Sequence, residues 1–165
     1  MVGAIEAVLA ALNAAGVRYL VVGGVAVVLH GHLRTTADLD LVVQLSPDNA
    51  LRAVRSLATL GYRPRAPVSA EKFADAVTRE SWLREKGLTV FGLWSERYPG
   101  LEVDLFVAEP FDFDEAYARA VTVRLESTNA TVVALADLIA LKQAAGRPVD
   151  LADLEALGGL AEGEA

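Results

Sequence analysis

The chain has 165 residues, a net charge of −7 and a sequence pI of about 4.8. This length predicts one domain, and the acidic balance argues against a broad basic surface for nucleic acid. The absence of cysteine excludes disulfides, thiolate zinc sites and cysteine nucleophiles. No apolar run reaches the roughly 20 residues of a membrane span, and no signal peptide is apparent, so we expect a cytoplasmic protein without membrane contact.

Helical and strand patterns alternate along the chain. In chain order we predict helix 2–15, strand 17–22, helix 25–30, strand 37–45, helix 47–60, a strand or loop at 62–67, one or two short helices in 69–84, strands 88–94 and 101–107, a helical turn at 111–118, strands 120–126 and 131–133, and helices 134–145 and 149–157. The hairpin-like pair 88–94 and 101–107 favours a mixed sheet of about five or six strands packed with helices, an α+β fold. We expect residues 1–157 to form the single domain and 158–165 a flexible acidic tail.

Two aspartates lie two positions apart in the strand predicted at 37–45. Because side chains at i and i+2 of a strand share a face, Asp38 and Asp40 project side by side. Carboxylates this close raise one another's pKa unless a cation lies between them, and oxygen ligands of this kind suit Mg²⁺ or Mn²⁺. The pair alone is a weak signal, since exposed strand residues produce the same pattern.

A third aspartate, Asp104, lies inside the apolar strand predicted at 101–107. An unpaired buried carboxylate there would be strongly destabilising. If this strand lies beside the Asp38 strand, three carboxylates converge, as two-metal phosphoryl transfer requires. Pairing of Asp104 with an arginine is the competing interpretation.

The glycine pair Gly23-Gly24 falls between a predicted strand and a predicted helix. Glycine lets the backbone approach a phosphate closely, and the free amides at a helix start favour an anion. The glycine pair would then hold a triphosphate directly, while the carboxylates would hold it through metal. A simple turn is the alternative.

The order of these features resembles the DNA polymerase β-like nucleotidyltransferase superfamily. The matching segments are Val22-Gly23-Gly24, Asp38-Leu39-Asp40 and Val103-Asp104-Leu105. Within that superfamily the chain looks most similar to small bacterial proteins related to the AbiEii-type toxins of abortive infection systems. Those proteins have a late lysine-containing helix followed by a basic–aspartate segment, which here spans 138–154.

The resemblance implies magnesium-dependent transfer of a nucleoside monophosphate from an NTP to a hydroxyl acceptor. The acceptor is a tRNA end, a protein or a small molecule, and the resemblance also implies a toxin–antitoxin or abortive-infection role with a cognate antitoxin as partner. The implied catalytic and metal-binding residues are Asp38, Asp40 and Asp104. The candidate nucleotide-binding residues are Gly23, Gly24, Arg34, Thr35, Lys142 and Asp150.

Each of the last four candidates has a structural alternative. Arg34 and Thr35 directly precede the Asp-x-Asp strand, where a solvated turn is as good an interpretation. Lys142 lies on an apolar helix, which is also typical of a lysine whose head group extends to solvent. Asp150 either pairs with Lys142 or caps the last helix.

Two other functions remain open. A catalytically silent nucleotidyltransferase-fold protein would act as an antitoxin or partner-binding regulator through its acidic surface, and metal-dependent NTP binding distinguishes it from an enzyme. A phosphodiesterase or nuclease would use the same carboxylates without an added NTP, but that function leaves the glycine pair unexplained.

Overall fold

A seven-stranded mixed sheet organises the part of the chain that the computed structural model describes, residues 1–164. The strands are β1 (Tyr19–Val22), β2 (Asp38–Val43), β3 (Arg63–Pro64), β4 (Val90–Trp94), β5 (Glu102–Phe106), β6 (Val121–Arg124) and β7 (Asn129–Val132). Their spatial order is β3-β4-β5-β2-β1-β7-β6, with β1–β7 and β2–β5 parallel and the other pairs antiparallel. The predicted α+β fold is confirmed, with slightly more strands than expected.

The additional strand is the two-residue β3, which lies at the edge of the sheet. Sequence patterns left this region open as a strand or a loop. Pro64 has no backbone N–H to donate to a neighbouring strand, so proline is tolerated at an edge and not in the sheet interior. The edge position of β3 follows from this chemistry.

Seven α-helices and one 3₁₀ turn (Ala70–Ala74) connect the strands within the described residues. The helices are α1 (Val2–Ala14), α2 (Gly23–Leu29), α3 (Pro47–Thr59), α4 (Ala76–Lys86), α5 (Phe113–Ala118), α6 (Leu135–Ala145) and α7 (Pro148–Glu164). The ambiguous region 69–84 forms the 3₁₀ turn and α4, because Asp75 accepts a hydrogen bond from the Thr78 amide and caps the helix. None of these helices is both long and apolar enough to cross a membrane.

The last helix extends further than predicted. It runs from Pro148 to Glu164, whereas the sequence pattern indicated an end at Leu157. Proline suits the first helical position, where its missing N–H removes no helical hydrogen bond. The tail expected to be flexible, 158–165, therefore overlaps this helix, and its last residue, Ala165, lies outside the described residues. Its flexibility stays a prediction.

The two faces of the central strands have opposite environments. On one face the side chains of β2 and β5 are fully buried and join a continuous hydrophobic cluster; they are Leu39, Leu41, Val103 and Leu105. On the other face Asp38, Asp40 and Asp104 are only partly buried. The alternation predicted for the Asp-x-Asp strand is thus confirmed, and it sets the carboxylates on the face that the core leaves open.

Candidate active site

Three carboxylates lie on two neighbouring strands. Strands β2 and β5 are parallel, with Asp40 directly opposite Asp104 and Asp38 opposite Glu102. Strands paired in this way lie about 4.8 Å apart, so the side chains of Asp40 and Asp104 are immediate neighbours. The condition set by the sequence, that the Asp104 strand lies beside the Asp38 strand, is therefore met.

Burial and mutual repulsion change the pKa values of the aspartates in this group. Burial, and then the charges of Asp104 and Asp38, raise the pKa of Asp40 to about 6 from an ordinary 3.8, although Lys142 and Arg147 oppose the change. Burial and the charge of Asp38 also raise the pKa of Asp104. A bound cation would relieve this repulsion.

The donor set fits a hard divalent cation in its chemistry. All three carboxylates line one cleft, and oxygen-only donors suit Mg²⁺ or Mn²⁺. Among the described residues, however, no three acidic or imidazole side chains already converge closely enough to form a ligand set. Binding of a cation would therefore require the carboxylates to move closer together.

The glycine pair leaves space for other side chains of the site. Gly23 has φ +66°, and a Cβ there would overlap Oδ2 of Asp40. A Cβ on Gly24 would lie 2.8 Å from both Nη2 of Arg34 and Oγ1 of Thr36. Both glycines form the first turn of α2 and line the cleft. Packing against Asp40 and Arg34 is thus a reason for glycine here beside the predicted approach of phosphate.

Replacing Gly23 by alanine should destabilise the protein and displace Asp40. The left-handed conformation costs an L-residue about 1–2 kcal/mol, and the new methyl group would overlap the Asp40 carboxylate. Chemical denaturation measures the first effect, and metal-dependent nucleotide binding the second. Gly87→Ala is the matched control, since Gly87 has φ +60° and a methyl group added there would meet nothing within 4 Å. Equal losses in both variants would contradict a role for the contact with Asp40.

A charge cluster built on one buried lysine and two buried aspartates lies at the same cleft as the carboxylates. Lys142 in α6 is 4% exposed, and its Nζ lies 3.0 Å from Oδ1 of Asp150 and 2.9 Å from Oδ2 of Asp153. Asp153 also lies 2.9 Å from Nε of Arg34, and Asp150 lies 2.7 Å from Nε of Arg147. The three cations line the cleft, whereas the two aspartates are buried behind them.

Asp150 combines the two roles that the sequence left as alternatives. It occupies the third position of α7, accepts a hydrogen bond from the Arg147 amide at 3.1 Å, and so caps the helix. It also pairs with Lys142 and with the Arg147 side chain, and these hydrogen bonds, against the opposing effect of burial, lower its pKa to about 2. Because Asp150 is fully buried, its position favours holding these cations over contacting a nucleotide directly.

Several residues at the site were not singled out from sequence. Asp153 and Arg147 lie within the 138–154 segment, and their signal was the Arg-Pro-x-Asp-x-x-Asp pattern at the start of the last helix. The lining residues to which the sequence assigned no role are Ala37, Thr89, Val90, Phe106, Ala145 and Val149. Single small or apolar residues of this kind carry no chemical signature in a sequence, so only the fold identifies them.

This cleft has a volume of about 700 Å³. One side carries Arg34, Lys142 and Arg147 with the glycine pair, and the other carries Thr89, Val90 and Phe106 beyond Asp104. A volume of this size accommodates a nucleotide-sized ligand. A second, apolar cavity of about 280 Å³ lies between α1 and α2 and contains none of the three carboxylates.

No protein-family model matches the chain, and no curated protein matches it. Solved structures do. The lincosamide antibiotic adenylyltransferase LnuA, in a lincomycin-bound crystal structure, is 15% identical with a TM-score of 0.57, and the match covers 88% of each chain. The antibiotic-resistance factor ANT(2'')-Ia, in a solution structure, is 17% identical with a TM-score of 0.60 and covers 99% of this chain and 84% of that chain. The chain thus has a nucleotidyltransferase-like fold, as predicted, and the closer resemblance to AbiEii-type proteins stays a prediction.

Proposed function

We propose that this protein transfers a nucleoside monophosphate from an NTP to a hydroxyl group of a small molecule, with Mg²⁺ as its cofactor. The observation that carries the proposal is the pairing of Asp40 with Asp104 in neighbouring strands, with Asp38 on the same face. These acids face a cleft that also holds Arg34, Lys142 and Arg147. A metal-bound triphosphate requires acids to hold the metal and cations to contact the phosphates, and this cleft contains both.

Asp38, Asp40 and Asp104 would hold the metal. When bound, Mg²⁺ would supply Lewis-acid chemistry to the phosphoryl group and offset the negative charge that meets there. Support for this assignment comes from the raised pKa values of Asp40 and Asp104, which are caused by burial and then by the charges of neighbouring carboxylates. Mn²⁺ has the same ligand preference and is expected to substitute.

The cations of the charge cluster would bind the β- and γ-phosphates. They are Arg34, Lys142 and Arg147, and they line the cleft together with Gly23 and Gly24. The Arg147 side chain is 68% exposed, and its Nε and Nη2 both donate to Asp150, so Nη1 is the donor left to contact a phosphate. This arrangement directs the leaving pyrophosphate towards the glycine side of the cleft.

The acceptor would approach from the other side, because in-line displacement requires attack opposite the leaving group. There the acceptor oxygen bonds to the α-phosphorus, the bond from that phosphorus to the bridging oxygen breaks, and the electron pair departs with pyrophosphate. The hydroxyl proton passes to the Asp104 carboxylate, which lies on the strand beside β4 at the acceptor side of the cleft. Thr89, Val90 and Phe106 would form the acceptor side of the cleft.

A small-molecule acceptor is favoured over RNA or protein. The net charge of −7 disfavours a polyanionic acceptor such as a tRNA end. One structurally similar protein, LnuA, is an adenylyltransferase of a lincosamide antibiotic and binds lincomycin, so a related fold there holds a small molecule. Apolar Val90 and Phe106 beside Asp104 suit a compact organic ligand. The toxin–antitoxin role and an antitoxin partner stay predictions.

Thermal stability with each NTP, with and without Mg²⁺, tests the proposal. At a ligand concentration of 100 times Kd, binding adds about 2.7 kcal/mol to the free energy of unfolding. For a chain of this size that corresponds to a rise in Tm of roughly 5–10 °C. We expect this rise only with Mg²⁺, and we expect Asp38→Ala/Asp40→Ala to lose it.

The control is Asp48→Asn, which alters an exposed aspartate of α3 outside the cleft and should keep the full rise in Tm. Mass spectrometry after incubation with the bound NTP and lincomycin, total tRNA or the protein alone then identifies the acceptor class by the added nucleotide. No rise with any NTP would overturn the enzyme proposal in favour of a silent, partner-binding domain. Breakdown of nucleic acid without NTP would indicate a nuclease.

A further inference from the structure

Asp153 is a buried carboxylate that joins two distant parts of the chain at the cleft. It lies in the second turn of α7 and is 2% exposed. Its Oδ2 lies 2.9 Å from Nζ of Lys142 and accepts a hydrogen bond from Nη2 of Arg34 at 3.2 Å. Arg34 precedes β2 and Lys142 lies in α6, so one side chain aligns cations that are more than 100 positions apart in sequence.

The pairing does more than neutralise Lys142. Asp150 already lies 3.0 Å from Nζ of Lys142, and it is itself held by Arg147. A second buried carboxylate is therefore not required to compensate the lysine, and burying one without need is unfavourable. What Asp153 adds is the contact with Arg34.

The orientation of Arg34 depends on few contacts. Its side chain is 21% exposed, and among the described residues its hydrogen bonds and ion pairs reach Asp153 and the Thr35 carbonyl, which accepts a hydrogen bond from Nη1 at 2.7 Å. Its Nε is buried and lies 2.9 Å from Oδ1 of Asp153, at ion-pair distance but outside hydrogen-bonding geometry. The guanidinium lies directly over Gly24, where it faces the glycine side of the cleft. Without Asp153, Arg34 would keep its hydrogen bond to Thr35 in its own loop and its packing against Gly24.

We infer that Asp153 is a positioning residue for the triphosphate of the nucleotide: it fixes Arg34 and Lys142 in the geometry that receives the phosphates, without touching them itself. This inference rests on the proposed function, since it names how the phosphate side of that site is assembled. Preorganised cations bind an anion more tightly than mobile ones, because less side-chain entropy is lost on binding. Asp153 would thus act through Arg34 and Lys142.

Inorganic tripolyphosphate with Mg²⁺ is the probe, because it carries the phosphates without a base. In calorimetric titrations we expect Asp153→Asn to weaken tripolyphosphate binding about tenfold, which corresponds to about 1.4 kcal/mol. Asparagine keeps the shape of the side chain and removes its charge. Once an acceptor is known, the KM for NTP should rise more than kcat falls.

Asp137→Asn is the matched control. Asp137 also pairs with an arginine, Arg119, at 2.6 Å, but it lies on the other end of α6 and does not line the cleft. We expect that variant to bind tripolyphosphate as the wild type does. A purely structural role for Asp153 predicts lost stability with unchanged affinity in both variants, and that result would overturn the inference.

Limited trypsin digestion of the nucleotide-free protein gives a second readout. Cleavage after Arg34 should accelerate in Asp153→Asn and not in Asp137→Asn, because the segment at 31–37 loses an anchor in the first variant only. If Asp153→Asn does not fold, Arg34→Lys keeps a positive charge for the phosphates but loses the two-point pairing with Asp153, and it should also weaken tripolyphosphate binding.

Combining Asp153→Asn with Arg34→Gln tests whether Asp153 acts through Arg34. In the Arg34→Gln background, Asp153→Asn should add less than it does alone. Full additivity would overturn the inference. Failure of the proposed function gives a different result, since the wild type itself would then bind neither tripolyphosphate nor any NTP.

Discussion

Lys142→Met should lower the free energy of unfolding by about 3–5 kcal/mol, the range typical of removing one partner from a buried ion pair. The lysine head group lies between two carboxylates that are 0% and 2% exposed. Methionine retains most of the apolar stem, so the packing of α6 is preserved while the positive charge is lost. Asp150 and Asp153 would then share Arg147 and Arg34 alone, and both would be undercompensated in the interior.

Urea denaturation followed by circular dichroism measures this loss. The matched control is Lys72→Met, which replaces an exposed lysine in the 3₁₀ turn and should change stability by less than about 0.5 kcal/mol. A Lys142→Met protein as stable as the control would mean that the lysine extends to solvent, the alternative that its apolar helix suggested. Because Lys142 also lines the cleft, tripolyphosphate binding should weaken in this variant and remain unchanged in Lys72→Met.

The carboxylate part of the site was predictable because it depends on local geometry. Side chains alternate between the two faces of a strand, so Asp38 and Asp40 are expected on one face, and in the structure they lie on the same face of β2. The contact between Asp40 and Asp104 depends on the pairing of β2 with β5. The residues alone did not determine that pairing. Only the resemblance to a known superfamily connected Asp104 with the Asp-x-Asp pair.

The cationic part was less predictable because its contacts are long-range. Lys142 was a candidate, but nothing local distinguishes a buried lysine from one that extends along an apolar helix to solvent. Its burial follows from Asp150 and Asp153 on the next helix, and the role of Asp153 follows from Arg34 over 100 positions away. No periodicity relates such positions, so tertiary packing determines this half of the site.

The glycine pair has a structural cause in addition to the one predicted from sequence. Sequence reasoning took Gly23-Gly24 as space for a phosphate, whereas the structure also requires the absence of a Cβ for Asp40 and Arg34. The two causes are compatible, because the same missing side chains bring the carboxylate and the guanidinium close to the backbone at which a phosphate would bind. The glycines therefore connect the acidic and basic halves of the cleft.

Asp40→Asn should stabilise the metal-free protein at neutral pH by about 2–3 kcal/mol, the free-energy equivalent of the raised pKa of this carboxylate. That pKa is about 6 in the folded protein against an ordinary 3.8, chiefly because of burial and then of Asp104 and Asp38. Between these two values the folded protein binds the proton more tightly than the unfolded chain does. Stability therefore falls as the pH rises from about 4 to above 6, where the charged form must be buried.

Asparagine is neutral throughout, so its advantage over aspartate should be small near pH 4 and should grow to a plateau above pH 6. Denaturation in the presence of EDTA at several pH values between 4 and 8 measures this difference, and Asp48→Asn reports the general effect of the substitution at an exposed site.

Saturating Mg²⁺ and NTP should make the wild type the more stable of the two proteins, because it gains binding energy that Asp40→Asn cannot. An Asp40→Asn protein that is less stable than the wild type in EDTA at pH 7.5 would contradict the repulsion among the three carboxylates. Asp40→Asn should therefore be more stable than the wild type without ligand and should gain less stability from ligand. Both results are expected if the Asp40 charge serves binding and lowers the stability of the fold.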